Sequence, residues 1–229
     1  MASPILQKFG IDNFKGEIYM LKKTNYEIQA EKVVSEFCKW DHEKIAKKFN
    51  LKLDEDYLYI NFLSREYRLN RHTGSIEKLD KDNKYVNANY NEVMSILDLF
   101  DYSKEDLKLS GKWSTPTSLK GTVNGGHVSG TGTLFLKSEK FFAENADILD
   151  RACTELNGKK ISEGDVGYIF DVFDFLPVKF LFYDEDCDFP PEVKIFWDEN
   201  VLDYMHFETT FFVVGHLFDR LKEIITEDL

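Results

Sequence analysis

Asp198, Asp203, His206 and Glu208 place three carboxylates and an imidazole within eleven residues. A histidine beside carboxylates can act as a general base, or as a metal ligand whose second ring nitrogen is held by an acid. The spacing matches no metalloenzyme signature, because H-E-x-x-H is absent. The same residues can also serve as caps, with Asp203 or Glu208 near the positive end of a helix. His127 stands apart from them, inside the glycine-rich run Gly121–Gly132, and is the one residue of that run able to carry chemistry. Such a run can cradle an anion with consecutive N–H groups. However, no lysine follows its last glycine as a P-loop requires, and neither a preceding strand nor a following helix is evident. A mobile lid or a plain hairpin is the competing reading.

A second constellation is Asp184-Glu-Asp-Cys-Asp-Phe-Pro-Pro-Glu192. Asp184, Asp186 and Asp188 at i, i+2 and i+4 open like a calcium loop, but glycine at position 6 and glutamate at position 12 are replaced by Phe189 and Ile195. A solvated turn closed by Pro190 and Pro191 is the simpler assignment. No G-x-S-x-G or catalytic-cysteine signature occurs, and no metal site is assigned. Cys38, Cys153 and Cys187 are too far apart for a C-x-x-C motif, which points to ordinary thiols in a reducing cytoplasm.

The charge is concentrated. The 229 residues carry a net charge of −12, and residues 161–208 alone hold 13 acidic against 2 basic side chains. A surface so biased repels a phosphate backbone and an anionic membrane, so neither nucleic acid nor membrane is expected as a partner. No apolar run reaches the ~18 residues of a bilayer span, and Lys8, Asp12, Lys15 and Glu17 interrupt any leader-like stretch.

The elements that must position these residues follow from periodicity. Residues 1–25 read as an irregular arm. Ala30, Val33, Val34 and Phe37 share a helical face. Asp41 can cap a second helix carrying Ile45 and Phe49. Residues 57–79 alternate as a three-stranded meander that turns at His72-Thr73-Gly74. Asp80–Asn89 reads as a solvated loop. Asn91–Phe100 is a helix with Val93, Ile96, Leu97 and Phe100 inward. Phe141–Leu156 is another, stopped by Gly158. Strands are expected at 166–174, 178–183 and 192–197. A terminal helix carries Phe211, Val214, Phe218, Leu221 and Ile225 as one stripe. Helices and strands come in runs rather than in alternation, which indicates one α+β domain with a mainly antiparallel sheet of about six strands.

The C-terminal third resembles a known family. Gly158, Gly164-Asp165, Leu176-Pro177-Val178, Asp184-Glu185-Asp186, Phe189-Pro190, Phe196-Trp197-Asp198, Asn200 and Asp203–Glu208 are similar to an uncharacterised prokaryotic domain of unknown function that is frequent in anaerobes. The resemblance is strongest over 158–221. It implies no established activity and no identified cofactor. Some relatives carry a cysteine-rich iron–sulfur segment, and this sequence shows none.

Function therefore divides three ways. The abundant aromatics and the glycine-rich cover favour a protein that binds a small ligand or cofactor without catalysis, at Asp198, Asp203, His206 and Glu208 beneath His127. An enzyme using His206 in acid–base work is the first alternative, and an acidic protein-interaction module the second. Oligomeric state is not legible.

Overall fold

The computed structural model describes residues 33–119 and 131–227. The arm at 1–25, Ala30 and His127 lie outside them. Among the described residues, nine strands and five helices follow a short helical segment at 33–37 that buries Phe37.

Helix α1, His42–Phe49, begins where Asp41 accepts the Lys44 N–H at 2.9 Å and buries Ile45, Ala46 and Phe49. Strands β1 (Tyr57–Phe62), β2 (Arg65–Asn70), β3 (Ile76–Leu79) and β4 (Tyr85–Asn87) form an antiparallel sheet in sequence order. The β1–β2 connection is the two-residue turn Leu63-Ser64, with both φ positive. Neither residue favours that conformation, so the tertiary structure must hold it. It does: the Leu63 N–H donates to Val172 O at 2.9 Å and its side chain is buried. Strand β4 falls in the stretch read as a solvated loop. Three residues are too few to show alternation. The strand is held by the Tyr85 hydroxyl donating to Glu66 and by the Arg68 guanidinium 3.6 Å from the Tyr85 ring.

Helix α2, Tyr90–Tyr102, opens on a capping box between Asn89 and Glu92. Strand β5 (Trp113–Ser114) starts the second sheet. The stretch read as one helix is two, α3 (Thr131–Ala143) and α4 (Ala146–Glu155), broken where Asn145 turns its amide back onto Phe141 O at 2.8 Å. A helix thus does begin at the end of the glycine-rich run, at Thr131, contrary to the sequence reading. At the end of α4 the left-handed residue is Asn157, with φ 60°. The Gly158 N–H donates to Cys153 O at 2.9 Å in a Schellman arrangement. Glycine at 158 serves a second need: a Cβ there would stand 2.7 Å from the rings of Tyr168 and Phe170. Gly158→Ala is therefore expected to cost about 1–3 kcal/mol through overpacking, read as a lower urea midpoint.

Strands β6 (Lys159–Lys160), β7 (Val166–Phe173), β8 (Leu176–Tyr183) and β9 (Glu192–Asp198) complete the second sheet in the order β5-β9-β8-β7-β6, all antiparallel. The α+β class and antiparallel pairing hold, and the strands sort into two sheets rather than one. Helix α5, Phe207–Glu227, lies against both. Its Phe218 meets Phe180 of β8 and Phe142 of α3, while His216 stacks 4.6 Å from Phe62 of β1. Val213, Val214, Leu217, Leu221 and Ile225 are buried, so its apolar surface is wider than a single stripe. Phe211, at one end of the expected stripe, is only half-buried, with its ring 5.2 Å from Phe207. The buried apolar side chains of both sheets and the helices form one contiguous cluster.

Candidate functional site

Of the four residues expected to converge, Asp198, Asp203 and His206 each have a partner elsewhere, Glu208 is exposed, and none bonds to another of the four. Asp198 is buried at the end of β9. Its two oxygens accept the N–H groups of Ser110, Gly111 and Asn200 at 2.8–2.9 Å, which fastens the chain entering β5. Asp203 receives the Lys104 ammonium at 2.6 Å. Glu208 is exposed in the first turn of α5.

His206 does have a carboxylate, but it is Asp98 on α2. Nδ1 lies 2.6 Å from one Asp98 oxygen, and the other accepts the His206 N–H at 2.9 Å and the Thr209 hydroxyl at 2.5 Å. Tyr102 lies against the imidazole with ring centroids 3.7 Å apart, while the His206 side chain remains 54% exposed. Asp98 thus holds down the start of α5, where a negative charge suits the helix dipole. Nothing in the local sequence marks it, because it comes 108 residues before its partner. Asp98→Ala is expected to cost about 1–2 kcal/mol, the usual loss of a helix cap, read as a lower denaturation midpoint at unchanged m-value.

A denser polar group lies inside the fold. Glu92 is fully buried. Its Oε1 accepts the Tyr67 hydroxyl at 2.9 Å and the Lys78 ammonium at 2.7 Å, and its Oε2 accepts the Asn89 N–H at 2.6 Å. His216 Nε2 is 3.1 Å from the Tyr67 oxygen. Since that hydroxyl donates to Glu92, His216 donates to it and is the neutral Nε2–H tautomer. Burial would raise the Glu92 pKa, but a proton on the His216 ring when it is charged, the Lys78 ammonium and the Asn89 N–H hold it below its ordinary value. Burial drives His216 down to about 3 despite the Glu92 charge. Burial and the same charge push the Tyr67 hydroxyl far up. Every oxygen of Glu92 is occupied, so this network fastens β2, β3, α2 and α5 together instead of offering a free reactive atom. His216 is accordingly a packed histidine, buried beside the apolar face of α5. Glu92 was missed, although Asn89-x-x-Glu92 has the spacing of a capping box.

The acidic run forms the β8–β9 turn. Asp186 Oδ1 accepts the N–H groups of Asp188 and Phe189, both at 2.8 Å, while its own N–H donates to Phe189 O at 3.1 Å. Asp165 accepts the Asp184 N–H at 2.9 Å. The carboxylates of Asp165 and Asp186 thus build the turn, and the turn thrusts Phe189 outward, 70% exposed. Beside it a groove of about 470 Å³ runs between Glu139, Lys140 and Ala143 of α3, Glu144 just after it, and Glu185, Pro190 and Pro191. Glu139 accepts the Val193 N–H at 2.9 Å and so fixes α3 against the start of β9. A smaller polar depression, about 340 Å³, lies between the sheets at Asn61, Ser64, Leu156, Asn157, Asp171 and Asp174. Among the described residues no three His, Cys, Asp or Glu side chains gather as they would around a metal ion, and no helix is long and apolar enough to cross a membrane.

A family model for a domain of unknown function, DUF3786, matches residues 41–220. The chain belongs to the DUF3786 family. The match opens at the Asp41 cap and closes at Arg220 in α5, so both sheets, the Glu92 network, the Asp98–His206 pair and the Phe189 turn all lie within the DUF3786 region. No curated protein and no solved structure matches the chain.

Proposed function

We propose that this chain is a protein-interaction module whose recognition surface is the β8–β9 turn and the groove beside it. The observation that carries this reading is Phe189. A phenylalanine left 70% exposed costs hydration free energy unless something covers it. Here it projects from a turn fixed by three hydrogen bonds to Asp186 and followed by two prolines. A side chain held ready in this way loses little conformational entropy on binding. A small ligand or cofactor beneath the glycine-rich segment has less support, since Asp198, Asp203 and His206 are each engaged with a different partner and Glu208 is exposed. The Asp98–His206 pair favours acid–base catalysis only in leaving the His206 side chain 54% exposed.

Placing a photo-crosslinking phenylalanine analogue at position 189 tests the reading in native cells, with the exposed position 81 as control. The expected result is one discrete protein adduct at 189. Its purified partner should bind the wild-type chain and lose at least tenfold in affinity for Phe189→Asp. Adducts no different from those at position 81 would overturn the reading.

A further inference from the structure

Resting on that reading, we propose that the groove between α3 and the β8–β9 turn takes an extended, lysine- or arginine-bearing segment of a partner protein, with an apolar side chain laid on Phe189. The argument is chemical complementarity. The lining combines the apolar Ala143, Pro190 and Pro191 with the exposed carboxylates of Glu144 and Glu185 and the buried one of Glu139, against the single lining cation Lys140. Lys140 is itself 3.8 Å from Glu144, so it does not neutralise the other two. Asp184, Asp186 and Asp188 extend the same negative field along the turn. Long basic side chains suit such a surface, because their methylene stems cover apolar ground while their charged heads reach carboxylates. The prolines decide the mode of binding. Neither has an N–H, so a partner cannot add here as a β-strand, and recognition falls to side chains. The field that attracts a basic segment repels nucleic acid and anionic lipid. A groove of this volume lies within the ordinary range of ligand sites, and α3 is already fixed by the Glu139–Val193 bond, so little rearrangement is required.

The test uses the full chain and two fluorescein-labelled ten-residue peptides, one alternating lysine with leucine, the other glutamine with leucine. Fluorescence anisotropy is measured at 20 and 300 mM NaCl. The lysine peptide is expected to bind and to weaken at least tenfold at the higher salt, as exposed charge pairs do. It should also weaken at least tenfold with Glu144→Lys/Glu185→Lys, and little with Asp82→Lys on the distant β3–β4 turn. All three positions are exposed, and an unchanged circular-dichroism melt verifies folding. Equal binding of the glutamine peptide, equal loss with Asp82→Lys, or no binding of either peptide would overturn the basic-segment proposal. The crosslink at position 189 is scored separately. A discrete adduct there, with the peptide result negative, removes the partner chemistry and leaves the interaction reading standing. A positive peptide result without an adduct removes the interaction reading and leaves the groove's charge preference.

Discussion

Alanine in place of Glu92 is expected to destabilise the fold by about 3–5 kcal/mol, the typical result of removing one member of a buried charged pair. The loss strands three donors at once: the Lys78 ammonium, the Tyr67 hydroxyl and the Asn89 N–H all bond to this carboxylate. With total stabilities of roughly 5–15 kcal/mol, such a variant sits near the folding threshold. Thermal melting should show a fall of roughly 6–20 °C for a domain of this size. A midpoint within a degree of the wild type would mean that the network contributes nothing.

The same network sets the acid limit of the fold. His216 is held down to about 3 in the folded chain, against an ordinary 6.5. The unfolded chain therefore binds a proton that the native state refuses between those values. This stability is fully present above pH 6.5 and is lost as the pH falls, by about 1.4 kcal/mol per pH unit. Glu92, whose folded pKa is also lowered, acts in the same direction at the acid end, since its contribution disappears once the carboxyl is protonated. Urea midpoints between pH 7 and 4 measure the slope. His216→Gln can still donate to Tyr67 but cannot gain a proton, so it should flatten the limb between pH 6.5 and 4.5. An unaltered slope in that variant would remove His216 as the cause.

Phe218→Ala is the second large effect, at about 3–5 kcal/mol. The ring is fully buried where α5 meets the second sheet, with edge contacts to Phe142 at 5.6 Å and Phe180 at 6.3 Å between centroids. Removing it leaves a cavity between α5, β8 and α3 where the Phe142 and Phe180 rings lose their contact. Differential scanning calorimetry reads the loss. A change under 1 kcal/mol would place the ring outside the core.

How much of this was legible depends on the range of the interaction. The Asp41 cap, the Ile45 and Phe49 face of α1 and the alternation of β1 and β7 are written within a few residues, because a helix repeats every 3.6 residues and a strand every two. The net charge of 161–208 follows from counting alone. Beyond that range the sequence misleads. The Leu63-Ser64 turn has no turn-forming chemistry and exists because Leu63 bonds across to Val172. The pairing of β5 with β9, far along the chain, is likewise a long-range contact that no local pattern marks.

The candidate residues divide in the same way. The sequence by itself determined that Asp198, Asp203, His206 and Glu208 would be close along the chain. Only the tertiary structure decided what each would meet. A carboxylate satisfies whichever donors lie within 3 Å, and a short stretch of backbone can turn neighbouring side chains toward different elements. Asp198 therefore took the N–H groups of Ser110 and Gly111, Asp203 took Lys104, and His206 took Asp98 from 108 residues away. Asp186 was legible as part of an acidic turn. That its Oδ1 would close the turn and leave Phe189 bare beside a groove was decided by the packing of α3 against β9 through Glu139 and Val193, since that packing places the groove where the turn ends.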